Sequence, residues 1–296
     1  MMAWPIILAK VLRRLHLSGW LDIVVPMSSS DAGTVLIPLQ RGLTESLLSA
    51  HAGGFKADLC RWLQARDLFP GIICDVGMNM GQTLIEICAA GPKMARYYGF
   101  EPNASAMAIV ERLMDLNPQL NSIQLMPWAC SSQDAPSRFF AISEADSGAT
   151  LNPSIRPDWY QYMAGSMAAS YRLDTAATLM QLCRHFFLKI DVEGGELEVL
   201  KGATNTLQQW QPIVQCEVLH AHRSSELTAN DQHKVDLIEF LKRYNYALML
   251  CCLSADGRRL QGLEPLAAFP SAVYADSPHT CDYLFVPQEL VARLLT

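Results

Sequence analysis

A pair of glycines behind an acidic residue is the part of the sequence whose spacing points most directly to chemistry. The apolar run that starts at Ile72 ends at Asp75, and Gly77 and Gly81 stand four residues apart behind it. Glycine permits tight backbone geometry and close approach of a ligand. A helical pattern starts at Gln82, so the sequence predicts a buried strand, a turn and a helix. This arrangement is typical of a cofactor-binding site.

The spacing of this turn differs from the common phosphate-binding patterns. Asp-x-Gly-x-Asn-x-Gly is not the dinucleotide fingerprint Gly-x-Gly-x-x-Gly, and it lacks the Lys-Ser/Thr ending of a phosphate loop. A carboxylate at a strand tip suits a ligand with a positive end, and S-adenosylmethionine carries an ammonium and a sulfonium. An ordinary strand-turn-helix corner can match the same short pattern, so the turn alone leaves both interpretations open.

A second acid stands at the end of the next predicted strand. Residues 95–100 form an apolar run, Glu101 and Asn103 follow, and a helical pattern covers residues 105–116. In a doubly wound sheet, an acid at the tip of the second strand accepts hydrogen bonds from ribose hydroxyls. We predict this role for Glu101; the alternative is a solvated acid that favours the N-terminus of the following helix.

The predicted third strand, residues 122–126, leads to a polar loop in which adenine could lie. Trp128 could stack on the base while backbone groups near Ala129 bind its edge, although a tryptophan is more often a core residue. Residues 131–170 lack clear periodicity and are long for a passive connection. We expect this segment to shape the acceptor pocket.

A second strong pattern is an apolar strand that ends at Asp191 and is followed by Glu193 and two glycines. Open α/β sheets bind ligands at the carboxyl ends of their strands, which is where both acids are predicted to lie. The alternative is that they complement the dipole of the next helix and bind nothing. Further elements are predicted as follows: a β-rich segment over 34–39, a helix over 44–63, a fifth strand over 212–219 carrying Glu217 and leading to His220 and His222, a helix over 231–244, and strands over 246–252 and 283–286.

Four blocks of the sequence resemble, in the same order, those of the FkbM-type family of S-adenosylmethionine-dependent methyltransferases. They are residues 75–83, Phe-Glu-Pro-Asn at 100–103, Leu-Asp at 173–174, and Leu-Lys-Ile-Asp-Val-Glu-Gly-Gly-Glu-Leu-Glu-Val-Leu-Lys-Gly-Ala at 188–203. The last block is the most specific, whereas many methyltransferases share the first. Met78 stands where the family commonly has a small residue, which changes packing near the methionine tail of the cofactor without removing a polar contact.

The resemblance implies a class I methyltransferase fold, which is α/β and Rossmann-like with helices on both faces of the sheet. It implies seven strands in the order 3-2-1-4-5-7-6 with strand 7 antiparallel, and O-methylation of a hydroxyl on a sugar, glycan or secondary metabolite. The predicted cofactor-binding residues are Asp75, Gly77, Asn79, Gly81, Thr83, Glu101, Asn103, Trp128, Ala129 and Asp191.

Methyl transfer to an alcohol requires the hydroxyl proton to leave, and a carboxylate or histidine within reach can take it. Asp191 is the first candidate for this general base, and His220 or His222 is the second, although a histidine is more often a surface or core residue. Asp191, Glu217 and a histidine could instead hold a divalent metal that lowers the pKa of the acceptor. The sequence does not decide between a general base and a metal-assisted mechanism.

Composition limits the class of protein. The chain has 296 residues, of which half are hydrophobic, and a net charge of −6 without a dense basic run. We therefore expect a folded protein with an N-terminal extension over residues 1–70 packed on a methyltransferase domain over 71–296, and no nucleic-acid partner. The nine cysteines show no Cys-x-x-Cys pair and indicate reduced core residues in a cytoplasmic protein.

The N-terminal residues allow two interpretations. An amphipathic helix near residues 6–15 could pack on the domain, which we favour, or make peripheral contact with a membrane through residues 1–20. Two other classes of function compete with the methyltransferase. One is a binding protein that keeps the cofactor fold without catalysis, which the acids at the strand tips disfavour. The other is an NAD-dependent oxidoreductase, which the missing dinucleotide fingerprint disfavours.

Overall fold

The computed structural model describes residues 22–29, 33–40, 45–120, 122–143, 146–153, 165–277 and 280–296. The amphipathic helix predicted near residues 6–15 lies outside these ranges. In chain order the elements are β1 (Asp22–Ser29), β2 (Gly33–Gln40), α1 (Glu45–Ala50), α2 (Phe55–Ala65), β3 (Ile72–Val76), α3 (Gln82–Ala90), β4 (Arg96–Phe100), α4 (Ala104–Leu116), β5 (Ile123–Met126), β6 (Ala129–Cys130), β7 (Ser137–Phe139), β8 (Ser166–Ala168), β9 (Ser170–Tyr171), α5 (Leu173–Ala177), β10 (Phe187–Ile190), α6 (Glu196–Lys201), α7 (Thr204–Gln209), β11 (Ile213–Glu217), α8 (Leu227–Lys242), β12 (Tyr246–Leu253), β13 (Leu260–Leu266), β14 (Asp282–Pro287) and α9 (Val291–Leu295).

The central sheet has eight strands in the order β13-β12-β14-β11-β10-β3-β4-β5. From β5 to β11 neighbouring strands are parallel, and β14 is antiparallel to both β11 and β12. The predicted count of seven strands is wrong because β13 pairs antiparallel with β12 at the edge. No side chain of β13 is buried. The strand therefore lacks the alternating apolar pattern from which a strand is predicted in a sequence.

Side chains that alternate along each strand divide the interior into two apolar cores. Ile73 and Phe187 belong to the core that packs against the β1–β2 hairpin and helices α1 to α4. Leu188 and Val214 belong to the other core, which packs against α5 to α8. Residues two apart in a strand therefore face the same helices.

The N-terminal elements share the first of these cores. Leu47 of α1 and Leu59 of α2 belong to the same buried cluster as Ile73 of β3. The single helix predicted over residues 44–63 is wrong in one respect, since α1 ends at Ala50 and α2 begins at Phe55. Gly53 interrupts the helical pattern with a φ of +81°, a left-handed conformation that favours glycine.

Candidate active site

A cavity of about 580 Å³ opens at the carboxyl ends of β3, β4, β10 and β11. Six of the predicted cofactor-binding residues line it: Gly77, Asn79, Thr83, Glu101, Ala129 and Asp191. The other four lie outside the lining: Asp75, Gly81, Asn103 and Trp128. The structure thus brings both predicted strand-tip patterns, after β3 and after β10, to a single cavity.

The turn after β3 is held tightly between its two neighbouring strands. The backbone N–H groups of Gly77 and Met78 both donate to the carbonyl oxygen of Phe100, each over 3.0 Å. Gly77 has a φ of +80°, and a Cβ at this position would lie 1.8 Å from the carbonyl oxygen of Asp191. Only glycine fits here, because any side chain would collide with the backbone after β10.

Glu101 is a buried carboxylate whose orientation is fixed by backbone donors. Its two oxygens accept hydrogen bonds from the N–H of Asn79 over 2.9 Å and from the N–H of Asn103 over 2.8 Å. Burial raises the pKa of Glu101 to about 7, although both hydrogen bonds oppose the shift. The group is therefore close to its titration point at neutral pH.

Gly81 and Asn103 support the cavity without lining it. Gly81 precedes α3 with a φ of +88°. The side-chain oxygen of Asn103 accepts from the N–H groups of Ser105 and Ala106 and so caps α4. Their predicted role as direct ligands is not favoured by this placement.

Asp75 lies behind the cavity wall. It is fully buried, accepts a short hydrogen bond from the hydroxyl of Tyr97, and has an oxygen 2.8 Å from Nζ of Lys189. The carboxylate therefore contacts a lysine of the protein where we predicted a positively charged end of a ligand.

Lys189 is the central residue that the sequence reasoning missed. Its Nζ donates to the carbonyl oxygen of Gly77 over 2.8 Å and lies 3.3 Å from the carboxylate of Asp191. Burial opposes its charge, but Asp191 and Asp75 raise the pKa of Lys189 above its ordinary value. The sequence did carry a signal, because Lys189 stands two residues before Asp191, in the strand that ends just before that acid. The pairing of Lys189 in register with Asp75 is seen only in the structure.

Asp191 and Glu217 form a hydrogen-bonded carboxyl pair at the cavity. Burial would raise the pKa of Asp191, but Lys189 and Lys56 outweigh it and hold this pKa at about 2. The charge of Asp191, followed by burial and Asp282, raises the pKa of Glu217 well above its ordinary value. These two directions favour an ionised Asp191 beside a protonated Glu217. The Asp191 side chain remains 23% exposed, so the carboxylate is reachable from the cavity.

Neither predicted histidine lines the cavity. His220 is buried, with Nε2 2.8 Å from Oγ1 of Thr280 and Nδ1 3.1 Å from Nζ of Lys234. Burial and the Lys234 charge lower the pKa of His220 to about 4. The His222 ring lies 6.0 Å from the ring of Tyr274. This placement does not favour either histidine as the general base.

The ligand set predicted for a metal is not assembled, because Asp191 and Glu217 meet without a histidine. Their neighbours in the cavity lining are Lys189 and Lys56, which a bound cation would have to approach. Within the ranges that the structure covers, no group of three His, Cys, Asp or Glu residues is arranged to hold a metal ion.

Trp128 and Met78 fill space around the cavity. The Trp128 ring makes edge contacts with Phe100 and Tyr171, with centroids 6.3 and 5.3 Å apart, which is the core role that we weighed against base stacking. Met78 is buried, lines the cavity and packs its sulfur beside Gly99, where a Cβ would lie only 2.2 Å away. The larger residue at position 78 is thus accommodated by a glycine on the adjacent strand.

The segment after β6 covers one side of the cavity and is tied to both strand-tip loops. The Oγ1 of Thr150 donates to the carbonyl oxygen of Glu193 over 3.0 Å, and Nδ2 of Asn79 donates to the carbonyl oxygen of Asp146 over 3.2 Å. Its lining residues include Ser137, Arg138 and Phe139, while residues 154–164 lie outside the described ranges.

Two acids of the recognised blocks have structural roles. The carboxylate of Asp174 accepts from the backbone N–H groups of Asn205 and Thr206, 2.9 and 2.8 Å away, at the start of α7. The carboxylate of Glu196 accepts from the N–H of Gly194 over 2.7 Å. The Glu196 bond therefore fixes the loop that follows Asp191, and the Asp174 bonds satisfy the first N–H groups of α7.

No helix among the described residues is long and apolar enough to cross a bilayer.

Comparisons with known proteins point to one family. Residues 75–248 match the family described as "Methyltransferase FkbM domain", which covers more than half of the chain. No curated protein matches the sequence.

Three solved structures illustrate the structural similarity. Methyltransferase FkbM from Methylobacillus flagellatus is 14% identical with a TM-score of 0.44, over 83% of this chain and 54% of the other, so this chain spans about half of that protein's length. A methyltransferase from Podospora anserina bound to S-adenosylhomocysteine (SAH) is 10% identical with a TM-score of 0.41, over 94% of each chain. An O-methyltransferase from Bacillus cereus in complex with SAH is 10% identical with a TM-score of 0.41, over 83% of this chain and 90% of the other.

Proposed function

We propose that this chain, which belongs to the FkbM methyltransferase family, is an S-adenosylmethionine-dependent methyltransferase whose acceptor is a hydroxyl group of a sugar, glycan or secondary metabolite. The observation that carries this proposal is the hydrogen-bonded carboxyl pair of Asp191 and Glu217, both of which line the cavity. An alcohol, unlike an amine, must lose its proton as the new bond forms. A carboxylate at the cavity can accept it.

The residues of the β3–β4 edge fit the cofactor. The backbone of Gly77 lines the cavity, and the fixed carboxylate of Glu101 is suited to accept hydrogen bonds from two ribose hydroxyls. Ala129 lies in the lining where we predicted the adenine. When bound, S-adenosylmethionine supplies a methyl group on a sulfonium, which is open to displacement by an oxygen nucleophile.

Asp191 has the position and the charge state of an acceptor for the hydroxyl proton. Its low pKa does not disqualify it, because an alcohol oxygen that is forming a bond to carbon becomes cationic and its proton strongly acidic. The carboxylate also orients the hydroxyl through a hydrogen bond before transfer, and orientation supplies much of the rate of a displacement reaction.

Lys189 and Glu217 keep Asp191 ready for this role. The ammonium of Lys189 lies 3.3 Å from the Asp191 carboxylate and favours its ionised form, and the hydrogen bond with Glu217 engages one lone pair of Asp191. The carboxylate is thereby fixed in direction with a lone pair remaining for the acceptor. Thr150 and its neighbours cover the cavity and limit access of water.

Calorimetry and a methyl-transfer assay test the proposal together. Purified protein is titrated with SAH and with NAD, and labelled S-adenosylmethionine is then offered with a panel of sugars, glycosides and hydroxylated metabolites. We expect SAH binding without NAD binding and a methyl ether as product. Tighter binding of NAD than of SAH would contradict the assignment of S-adenosylmethionine as cofactor. A product methylated on nitrogen or carbon would contradict the assignment of a hydroxyl as acceptor.

A further inference from the structure

One residue of the cavity comes from outside the region that matches the family. Among the described residues that line the cavity, Lys56 of α2 is the only one that lies outside residues 75–248. It is half-buried and shares this lining with Asp191 and Glu217. The N-terminal elements therefore contribute a cation to the same side of the cavity as the carboxyl pair.

The first turn of α2 is anchored to the helix that follows the glycine turn. The carboxylate of Glu86 in α3 accepts from the backbone N–H of Ala57 over 2.8 Å. Gly54 precedes α2, and a Cβ there would lie 2.6 Å from the Glu86 carboxyl group. Because Glu86 binds the start of α2 so closely, it sets where Lys56 stands relative to the cavity.

The charges around Lys56 explain why a second cation is needed. Lys189 already serves two carboxylates, Asp75 and Asp191. A further acid, Asp282 of β14, pairs in register with Glu217 and accepts from the side chain of Gln215 over 2.9 Å. The single positive charge of Lys189 cannot neutralise the negative charges of all these carboxylates.

The charged groups that act most on Lys56 come from three elements: Asp282 on β14, Asp191 and Lys189 at β10, and Glu86 on α3. Burial opposes the charge of Lys56, but Asp282 and Asp191 raise its pKa above the ordinary value. The attraction is mutual, since Lys56 also lowers the pKa of both carboxyl groups. Lys56 is thus a cation at neutral pH whose charge acts on Asp282 and Asp191.

We propose that Lys56 is a positioning residue of the acceptor site, an ammonium in the same cavity lining as Asp191 and Glu217, so that the segment before the matched family region completes the active site. The assignment rests on the proposed role of Asp191 in proton removal. Lys56 acts on the reaction through Asp191, and its loss would leave the cofactor side, at Gly77 and Glu101, unchanged.

Three variants test this inference: Lys56→Met, which removes the charge; Lys56→Arg, which keeps it; and Lys93→Met, which removes an exposed lysine away from the cavity. Melting temperature is measured above and below pH 6, because burial places the pKa of Asp282 at about 6. A cation that pairs with Asp282 stabilises the fold while that carboxyl is ionised, and this contribution declines as the pH falls through that value.

We expect Lys56→Met to lower the melting temperature clearly above pH 6 and by less below it, while Lys56→Arg restores most of the difference and Lys93→Met matches the parent. In the methyl-transfer assay, Lys56→Met should move the acid limb of the rate profile to higher pH with SAH affinity unchanged.

A loss of melting temperature in Lys56→Met that is equal above and below pH 6 would overturn the inference, as would an acid limb that stays in place. If no methyl transfer is found with any acceptor, the proposed function fails by itself. The melting curves still decide whether Lys56 is coupled to the carboxyl groups.

Discussion

Gly77 and Asp191 approach so closely that the carbonyl oxygen of Asp191 lies 1.8 Å from where a Cβ of residue 77 would be. The first residue belongs to the turn after β3 and the second to the turn after β10, strands that are adjacent and parallel in the sheet. The backbone of each turn therefore packs directly against the backbone of the other. This contact joins the cofactor side of the cavity to the residue proposed to take the proton.

Replacing Gly77 with alanine should be much more harmful than replacing another glycine of similar backbone conformation. Gly33 is the matched control, because its φ is +70° and a Cβ there would meet nothing within 4 Å. Gly33→Ala should lose about 1–2 kcal/mol of unfolding free energy through the left-handed conformation alone. Gly77→Ala should lose distinctly more or fail to fold, and urea denaturation with SAH titration measures both. Equal losses in the two variants would show that the contact with Asp191 is easily relieved.

Removal of Lys189 should leave buried carboxylates without their cation. Lys189→Met is expected to lower the unfolding free energy by about 3–5 kcal/mol, the usual effect of breaking a buried ion pair. Lys201 is the control, since its pair with Glu198 lies on the surface with the side chains 45% and 48% exposed. Lys201→Met should cost about 0–1 kcal/mol in the same denaturation series. A Lys189→Met variant as stable as the Lys201→Met control would contradict the claim that Lys189 stabilises the buried carboxylates.

Cofactor affinity should depend on pH through Glu101, whose pKa burial raises to about 7. Ribose hydroxyls donate hydrogen bonds and so favour the ionised carboxylate, which lowers the pKa of Glu101 in the complex. Affinity for SAH is therefore highest above pH 7 and should fall as the pH decreases through that value. Calorimetry across this range checks the slope.

Two variants of Glu101 provide the controls for that measurement. Glu101→Gln cannot titrate, so its SAH affinity should be weaker and independent of pH. Glu101→Ala should weaken binding by about 1.5–3 kcal/mol while the protein stays folded. An affinity of the parent protein that is flat across neutral pH would contradict the ribose role of Glu101.

Much of the site could be predicted because it is encoded by local patterns. An apolar run, a terminal acid and glycines in a fixed spacing identify a strand and the turn after it, and Gly77, Glu101 and Asp191 do line the cavity. The predicted family is confirmed by the match over residues 75–248. These features depend only on residues that are close in the chain.

The remaining features depend on contacts between distant residues. An acid at the end of a strand has the same sequence pattern whether it contacts a ligand or a buried lysine, and Asp75 contacts Lys189. His220 follows a predicted strand, which is a common place for a catalytic residue, but its partner Lys234 is 14 residues further on in α8. No local sequence pattern identifies Lys56 as a cavity residue, because the position of the first turn of α2 depends on a hydrogen bond to Glu86 in another helix.

The most direct test of the account is methyl transfer by Asp191→Asn, with Asp67→Asn as the control, because Asp67 is 99% exposed and tolerates asparagine at its φ of +57°. SAH affinity and the rate of methyl-ether formation are measured for both variants and the parent. The account predicts that Asp191→Asn keeps SAH affinity within a few fold and lowers turnover by about 10²- to 10⁴-fold, while Asp67→Asn matches the parent. Turnover by Asp191→Asn equal to that of the parent would contradict the central claim that this carboxylate takes the hydroxyl proton.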